Sequence, residues 1–166
     1  MMKWVFRGIL AAAVIVTGVW AWSYFFPRPE LAIRHRLQRV AQLASFSSDE
    51  TALAKAAVPL QLVEMFTEDV EISVDVQGFP RQTLSGKDNL RETAVAVRHH
   101  LRGLSIEFLD ITTALGPSKQ SAEVNLTAKI RVPSEKEFFP QELKFSMKKV
   151  DGKWLIRKIE TVRTLS

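Results

Sequence analysis

Residues 148–162 read KKVDGKWLIRKIETV and hold the local signal for a β-hairpin. The central pair Asp151-Gly152 suits a two-residue turn in which both positions take positive φ, the type that joins neighbouring antiparallel strands. Before this turn, Leu143, Phe145 and Met147 lie at alternating positions of residues 138–150 and share one face. Residues 154–165 follow the turn and are predicted as the last strand, with Trp154 at its start.

The segments before this hairpin are also predicted to be strands. Residues 121–132 alternate strictly between apolar and polar side chains, which is typical of a strand with one buried face. Residues 106–115 form another predicted strand, and Gly116-Pro117-Ser118 separates the two as a turn. Earlier in the chain, residues 70–76 alternate in the same way, and residues 81–84 are predicted as a short return strand after Gly78-Phe79-Pro80.

Three segments have helical periodicity. Residues 30–44 place apolar side chains on one stripe, and the capping box Ser47-Ser48-Asp49-Glu50 predicts a second helix that Pro59 kinks or divides. Ser85 is the predicted N-cap of a third helix that ends at Gly103. Its predicted buried stripe consists of Leu90, Ala94, Val97 and Leu101. The order α-α-β-β-α-β-β-β-β predicts an α+β fold in which a curved antiparallel sheet wraps around helices.

The first 29 residues differ in composition from the rest. Residues 8–26 carry no charge, and at about 1.5 Å per residue a helix of this length nearly matches a hydrocarbon core of about 30 Å. Aromatic rings suited to the membrane interfaces lie near both ends of this predicted helix: Trp4 before one end, and Trp20, Trp22 and Tyr24 close to the other. We therefore expect a transmembrane helix in residues 1–29, followed by a domain in residues 30–166.

Cleavage of this segment and its orientation stay open. Lys3 and Arg7 would serve equally as the basic region of a secretory signal peptide, with Ala21-Trp22-Ser23 as a cleavage site. Basic residues are nearly balanced on the two sides of the span. The short basic N-terminal tail nonetheless favours a single-pass membrane protein that contacts the lipid bilayer through residues 8–26. Its C-terminal domain would be extracytoplasmic, which means periplasmic in a bacterium.

The charge of the chain excludes a typical nucleic-acid-binding protein. The net charge is +5, from 23 basic and 18 acidic residues. Residues 1–29 contain three of the basic residues and none of the acidic ones, so residues 30–166 carry 20 minus 18, or +2. This excess is small, and no aromatic residues alternate with basic ones as a stacking platform requires. Acidic residues concentrate in 49–75 and basic residues in 144–166, which predicts either two solvated faces or a polar pairing surface.

Residue types limit the possible chemistry further. The chain has no cysteine, which excludes disulfides, thiolate metal sites and a cysteine nucleophile. With three histidines in the whole chain, we expect no metal site, and no motif indicates a cofactor. The single tyrosine lies at position 24, so residues 30–166 lack the phenol that would stabilise an enolate in an isomerase.

Three quoted segments resemble one superfamily. LSGKDNLRE (84–92), MFTEDVEISV (65–74) and KKVDGKWLIRKIETV (148–162) are similar to the nuclear transport factor 2-like, or SnoaL-like, superfamily. This resemblance implies a conical half-barrel over residues 30–166, a pocket between helices and sheet, and homodimerisation through the sheet. The superfamily includes isomerases, dehydratases, cyclases and scaffold proteins, so the fold alone does not identify a function.

The sequence supplies a limited set of candidate site residues. His100 on the third helix and Asp110 in a strand are the best acid–base pair. Asp110 lies two residues after Phe108, so in an unbroken strand it would share the inward face with Phe108. The predicted pocket lining consists of Thr93, Val97, Phe108, Thr112, Gln141, Phe145 and Trp154.

Two functions therefore stay open. The first is a membrane-anchored, non-catalytic domain for protein–protein interaction, within a membrane complex or as a homodimer, or for binding a small apolar ligand. The second is a tethered isomerase-, dehydratase- or cyclase-like enzyme that uses His100 and Asp110.

Overall fold

Three helices and six strands make up most of the described chain. The computed structural model describes residues 13–18, 28–75, 82–133 and 138–162. The helices are α1 (Pro29–Ala44), α2 (Ala52–Val63) and α3 (Lys87–His100). The strands are β1 (Phe66–Val74), β2 (Gln82–Ser85), β3 (Ser105–Leu115), β4 (Ser121–Arg131), β5 (Phe138–Val150) and β6 (Lys153–Thr161). This order confirms the predicted α+β class and succession of elements.

The six strands form one mixed sheet in the order β2-β1-β6-β5-β4-β3. Every neighbouring pair is antiparallel except β1 and β6, which run parallel, so the prediction of a purely antiparallel sheet is wrong at that pair. The β5–β6 hairpin turns at Asp151 (φ 48°) and Gly152 (φ 78°), as its sequence predicts. β6 lies between β5 and β1, and because β1 and β6 run in the same direction, this second contact is parallel.

One face of the sheet packs against the helices and forms the core. In β4 and β5, directly opposed residues on this face are buried, as the pairs Val124–Phe145 and Leu126–Leu143 show. From the helices, Ile33 and Leu37 of α1 meet this face with no exposed surface. The alternating pattern of β4 thus fixes which face is buried, since a shift by one residue would expose the whole set.

A β-bulge at Asp110 reverses the facing of the second half of β3. Leu109 pairs with Thr127 and Thr112 with Asn125, which leaves two residues of β3 opposite one of β4. Asp110 has φ 53°, a left-handed conformation that aspartate tolerates better than most residues. Beyond the bulge, Thr113 rather than Thr112 shares a face with buried Val124.

The chain covers part of its own sheet edge at β3. Ser45 Oγ accepts the Ile106 N–H at 2.9 Å, and Arg34 Nη2 donates to the Ile111 carbonyl at 3.3 Å. Phe46 and Leu104 exchange two backbone hydrogen bonds of 2.8 and 2.9 Å. An uncovered edge offers a row of free N–H and C=O groups to other chains, so these contacts limit edge-to-edge association.

The beginnings of two helices differ from the sequence prediction. Thr51, not Ser47, caps α2 by accepting the Ala54 N–H at 3.2 Å. The third helix has Gly86 (φ 86°) as its N-cap, with no side-chain cap from Ser85. Pro59 lies inside the single helix Ala52–Val63 rather than between two helices.

The end of α3 differs as well. The helix ends at His100, and Leu101 is an extended C-cap with 37% of its surface exposed, not a member of the buried stripe. Gly103 does not supply a left-handed cap. A Cβ at this position would lie 3.0 Å from Pro133 Cγ and 3.3 Å from the Phe46 carbonyl oxygen. The glycine is therefore needed for close packing of three chain segments.

The N-terminal prediction requires a correction. Within residues 13–18, 28–75, 82–133 and 138–162, no helix is long and apolar enough to cross a bilayer, and this finding contradicts the predicted single-pass localisation. Of the predicted span, residues 13–18 are helical and exposed. The other parts of that prediction, residues 8–12 and 19–26 with Trp4, Trp20, Trp22 and Tyr24, lie outside the described residues. The division into residues 1–29 and 30–166 stays a prediction.

Candidate functional site

Three of the predicted pocket residues belong to the core. Phe145 and Trp154 expose 1% and 4% of their surface. The Phe108 ring is half-buried and packs edge-to-face on Phe145, with centroids 5.5 Å apart and ring planes at 70°. Aromatic pairs in this arrangement stabilise a folded chain beyond the effect of burial alone. These rings therefore fill the space between sheet and helices at this point.

The polar members of the predicted pocket lie in different places. Gln141 is half-buried and opposes Ala128, so it lies on the core face of β5. Thr112 is exposed on the outer face, because the bulge at Asp110 reverses the strand. Val97 is half-buried and Thr93 is exposed, both on α3.

The proposed acid–base pair is exposed at both residues. His100 is the last residue of α3, and Asp110 is the bulged residue of β3. Among the described residues no hydrogen bond or ion pair involves either side chain. The expectation that Asp110 points inward assumed unbroken alternation, which the bulge removes.

A groove of about 530 Å³ lies between α3 and the β1–β2 hairpin. Its lining residues are Ile72, Val74, Gln82, Thr83, Leu84, Ser85, Asn89, Leu90, Glu92 and Thr93. Among these described lining residues, apolar side chains from both strands and the helix lie beside amides, hydroxyls and one carboxylate, that of Glu92. The Asn89 amide donates to the Ser85 carbonyl at 2.7 Å, which orients that side chain at the start of the helix. Of the predicted pocket residues, Thr93 lines this groove.

A buried ion pair that the sequence interpretation missed lies beside the end of α3. The Arg98 side chain is 3% exposed, and its Nη1 lies 2.7 Å from both carboxylate oxygens of Glu50. Arg98 Nη2 also donates to the Leu43 carbonyl, and the guanidinium lies 4.8 Å from the centroid of the Phe46 ring. The signal was available, since Leu90, Ala94 and Arg98 follow at intervals of four residues on one helical stripe.

Residues of the acidic segment 49–75 form ion pairs with basic residues from other parts of the chain. Lys87 Nζ lies 3.2 Å from Glu64 and 3.0 Å from Glu68, and Arg157 Nε lies 3.3 Å from Asp69. Partial burial opposes protonation of Lys87, but hydrogen bonds and attraction from the two glutamates raise the pKa of Lys87 above its ordinary value. Part of the charge segregation seen in sequence is thus neutralised by neighbouring elements of the same chain.

Comparison with solved structures identifies the architecture. A proposed scytalone dehydratase from Novosphingobium aromaticivorans matches with a TM-score of 0.58 and 21% identity over 81% of this chain and 83% of its own. A cystatin-like protein of the nuclear transport factor 2-like type from the same species has a TM-score of 0.58 and 16% identity over 92% and 86% of the two chains. The fold is the nuclear transport factor 2-like fold.

Other proteins of this fold match at lower identity. Aln2 from a Streptomyces species superposes with a TM-score of 0.62 and 12% identity, over 83% of this chain and 92% of Aln2. No protein-family model and no curated protein matches the sequence. At these identities the nuclear transport factor 2-like fold is what the proteins share, and the matched structures include a proposed dehydratase, a proposed aromatic ring hydroxylase and a protein of unknown function.

Proposed function

We propose that this domain is a non-catalytic binding module for a small amphipathic molecule. The observation that supports this proposal is the groove between α3 and the β1–β2 hairpin. Its volume of about 530 Å³ lies within the range typical of small-molecule sites, about 300–1,000 Å³. Ligand sites of this kind combine a mostly apolar lining with a few polar groups that orient the ligand.

The groove chemistry favours a ligand with hydrogen-bond donors. Ile72, Leu84 and Leu90 offer apolar contact to a ligand body. Glu92 supplies a carboxylate that accepts hydrogen bonds, while the amides and hydroxyls around it both donate and accept. A neutral or cationic molecule fits this lining, whereas an anion would be repelled by Glu92.

The enzyme alternative comes from the fold relatives, which include a proposed dehydratase. Dehydration and isomerisation need an acid and a base that reach the same substrate. His100 and Asp110 are both exposed, and neither lines the groove. Among the described residues that line the groove, Glu92 is the one ionisable side chain. This inventory supports binding rather than acid–base catalysis.

Filling the groove with a large side chain should weaken ligand binding. We expect Thr93→Trp to weaken binding of Nile red, an uncharged apolar fluorophore, at least tenfold, because the indole would occupy the groove. Ala96→Trp is the matched control, since Ala96 is exposed on the same helix and does not line the groove. Fluorescence titration of both variants measures the effect. Equal affinity in the two variants would refute the proposed site.

We also propose that the chain forms a homodimer through the outer face of the sheet. Leu109 and Phe138, in β3 and β5, expose 38% and 49% of their surface, and Val162, directly after β6, exposes 37%. The register opposes Leu109 to Thr127 and Phe138 to Arg131, which supports a position on the outer face. An outer face that exposes several large apolar side chains is a candidate interaction surface.

Light scattering tests this self-association. We expect the chain to be dimeric at micromolar concentration and Leu109→Glu to shift it to monomer, because two like charges would meet across a two-fold interface. Leu53→Glu is the control, since Leu53 is 80% exposed but lies on α2, away from the sheet. A monomeric unmodified chain, or an equal effect of both variants, would contradict the proposal.

A further inference from the structure

A second hollow, of about 680 Å³, lies at the turn between β3 and β4. The register places Ala114, Glu123 and Ser146 side by side across three strands, on the face away from the helices. In the next row Ser121 opposes Lys148. Small side chains thus form the floor of the hollow, and the longer side chains of Glu123, Lys148 and Arg157 stand around it. No lining residue is shared with the groove between α3 and the β1–β2 hairpin.

Two of the three charged lining residues are already paired. Arg157 Nε lies 3.3 Å from Asp69, and Glu123 lies 3.1 Å from Lys144 Nζ. Within the described part of the chain, Lys148 has no carboxylate within ion-pair distance. The hollow and its paired neighbours therefore carry one uncompensated positive charge, at an exposed ammonium group beside the floor.

The neutral lining groups complement this charge. The hydroxyls of Ser118, Ser121 and Ser146 and the amide of Gln120 can donate hydrogen bonds to an anion, while Ala114 on the floor offers apolar contact. Hydrogen bonds from a charged donor to a carboxylate are stronger than bonds between neutral groups.

We propose that this hollow binds a small organic monocarboxylate with an apolar tail. The single excess charge matches a monoanion. A phosphate dianion would retain a negative charge next to Glu123, which disfavours it. The head group contacts Lys148 and the serine hydroxyls, and the tail lies over Ala114 and the small side chains of the floor. This site is separate from the groove of the proposed function and does not depend on it.

Isothermal titration of the full chain tests the proposal with three probes: octanoate, 1-octanol and inorganic phosphate. We expect octanoate to bind, octanol to bind more weakly, and phosphate alone not to bind. Lys148→Ala should weaken octanoate binding about tenfold, which is the effect of losing about 1.4 kcal/mol of interaction, and should leave octanol unchanged. Lys153→Ala removes an equal charge from an exposed residue outside the hollow and should change neither affinity.

A second variant tests the shape of the hollow. Ser146→Leu should weaken octanoate and octanol alike, because the larger side chain would fill the floor, whereas Thr93→Trp should affect neither. Equal octanoate affinity in Lys148→Ala and the unmodified chain would overturn the proposal, and so would tight binding of phosphate. Octanoate binding that appears only in the Leu109→Glu monomer would also overturn it and would assign the hollow to contacts with a second copy.

Discussion

Replacing Arg98 with alanine is expected to lower the free energy of unfolding by about 3–5 kcal/mol, because a buried ion pair that loses one partner leaves an uncompensated charge. The guanidinium is 3% exposed and holds Glu50 through two contacts of 2.7 Å. It also binds the Leu43 carbonyl and lies over the Phe46 ring, so α3 would lose its link to the segment between α1 and α2. Urea denaturation followed by circular dichroism measures the loss.

Matched variants separate burial of the charge from the mere loss of an arginine. Arg91→Ala, on the same helix, removes an exposed pair with Asp88 at 3.3 Å and should cost less than about 1 kcal/mol. The double variant Arg98→Met, Glu50→Leu should recover most of the stability lost in Arg98→Ala, since apolar side chains often replace a buried pair without loss. A loss of stability in Arg98→Ala no larger than that in Arg91→Ala would show that the pair does not hold these segments together.

The sequence predicted the strands of this fold better than its polar contacts. The alternation in β4 and the Asp151-Gly152 turn are local signals, and the structure confirms the strand and the turn that they predict. The parallel contact of β1 with β6 was missed because it depends on where the last strand inserts, which involves residues far apart in the chain. The local sequence pattern of a strand carries little information about which strands it will have as neighbours in the sheet.

The candidate site shows the same limit. Asp110 and Thr112 were assigned to the interior by counting alternate residues, and one bulged residue reversed that assignment. Glu50 fits a capping-box pattern with Ser47, but pairing with a buried arginine distant in sequence prevailed over the local cap. Of the residues that line the groove on α3, the sequence analysis had singled out only Thr93, because the other wall of the groove is the distant hairpin of β1 and β2.

A pocket residue and a core residue have the same appearance in a strand, and Phe145 illustrates the problem. Leu143, Phe145 and Met147 lie two positions apart along β5 and share one face of the sheet. This pattern fits either a core residue or a pocket residue. In the structure Phe145 exposes 1% of its surface, and its ring packs edge-to-face with the ring of Phe108. The position of the helices over the sheet, which sequence periodicity does not specify, makes it part of the core.

This assignment predicts a large loss of stability for Phe145→Ala, about 3–5 kcal/mol in the free energy of unfolding, since the deletion removes buried surface and leaves a cavity. Phe145→Leu should cost less, because leucine fills part of the space. Phe138→Ala is the control on the same strand. Phe138 is 49% exposed and contacts Lys129 Nζ at 4.7 Å from its ring centroid, so we expect a change below about 1 kcal/mol.

The same variants distinguish a core residue from a ligand contact. Because Phe145 does not line the groove between α3 and the β1–β2 hairpin, Phe145→Leu should leave Nile red affinity unchanged while urea denaturation detects the lost packing. The opposite result, unchanged stability with weaker Nile red binding, would mean that the ring faces a ligand cavity. The interior between sheet and helices, rather than the groove, would then be the place where this domain binds its ligand.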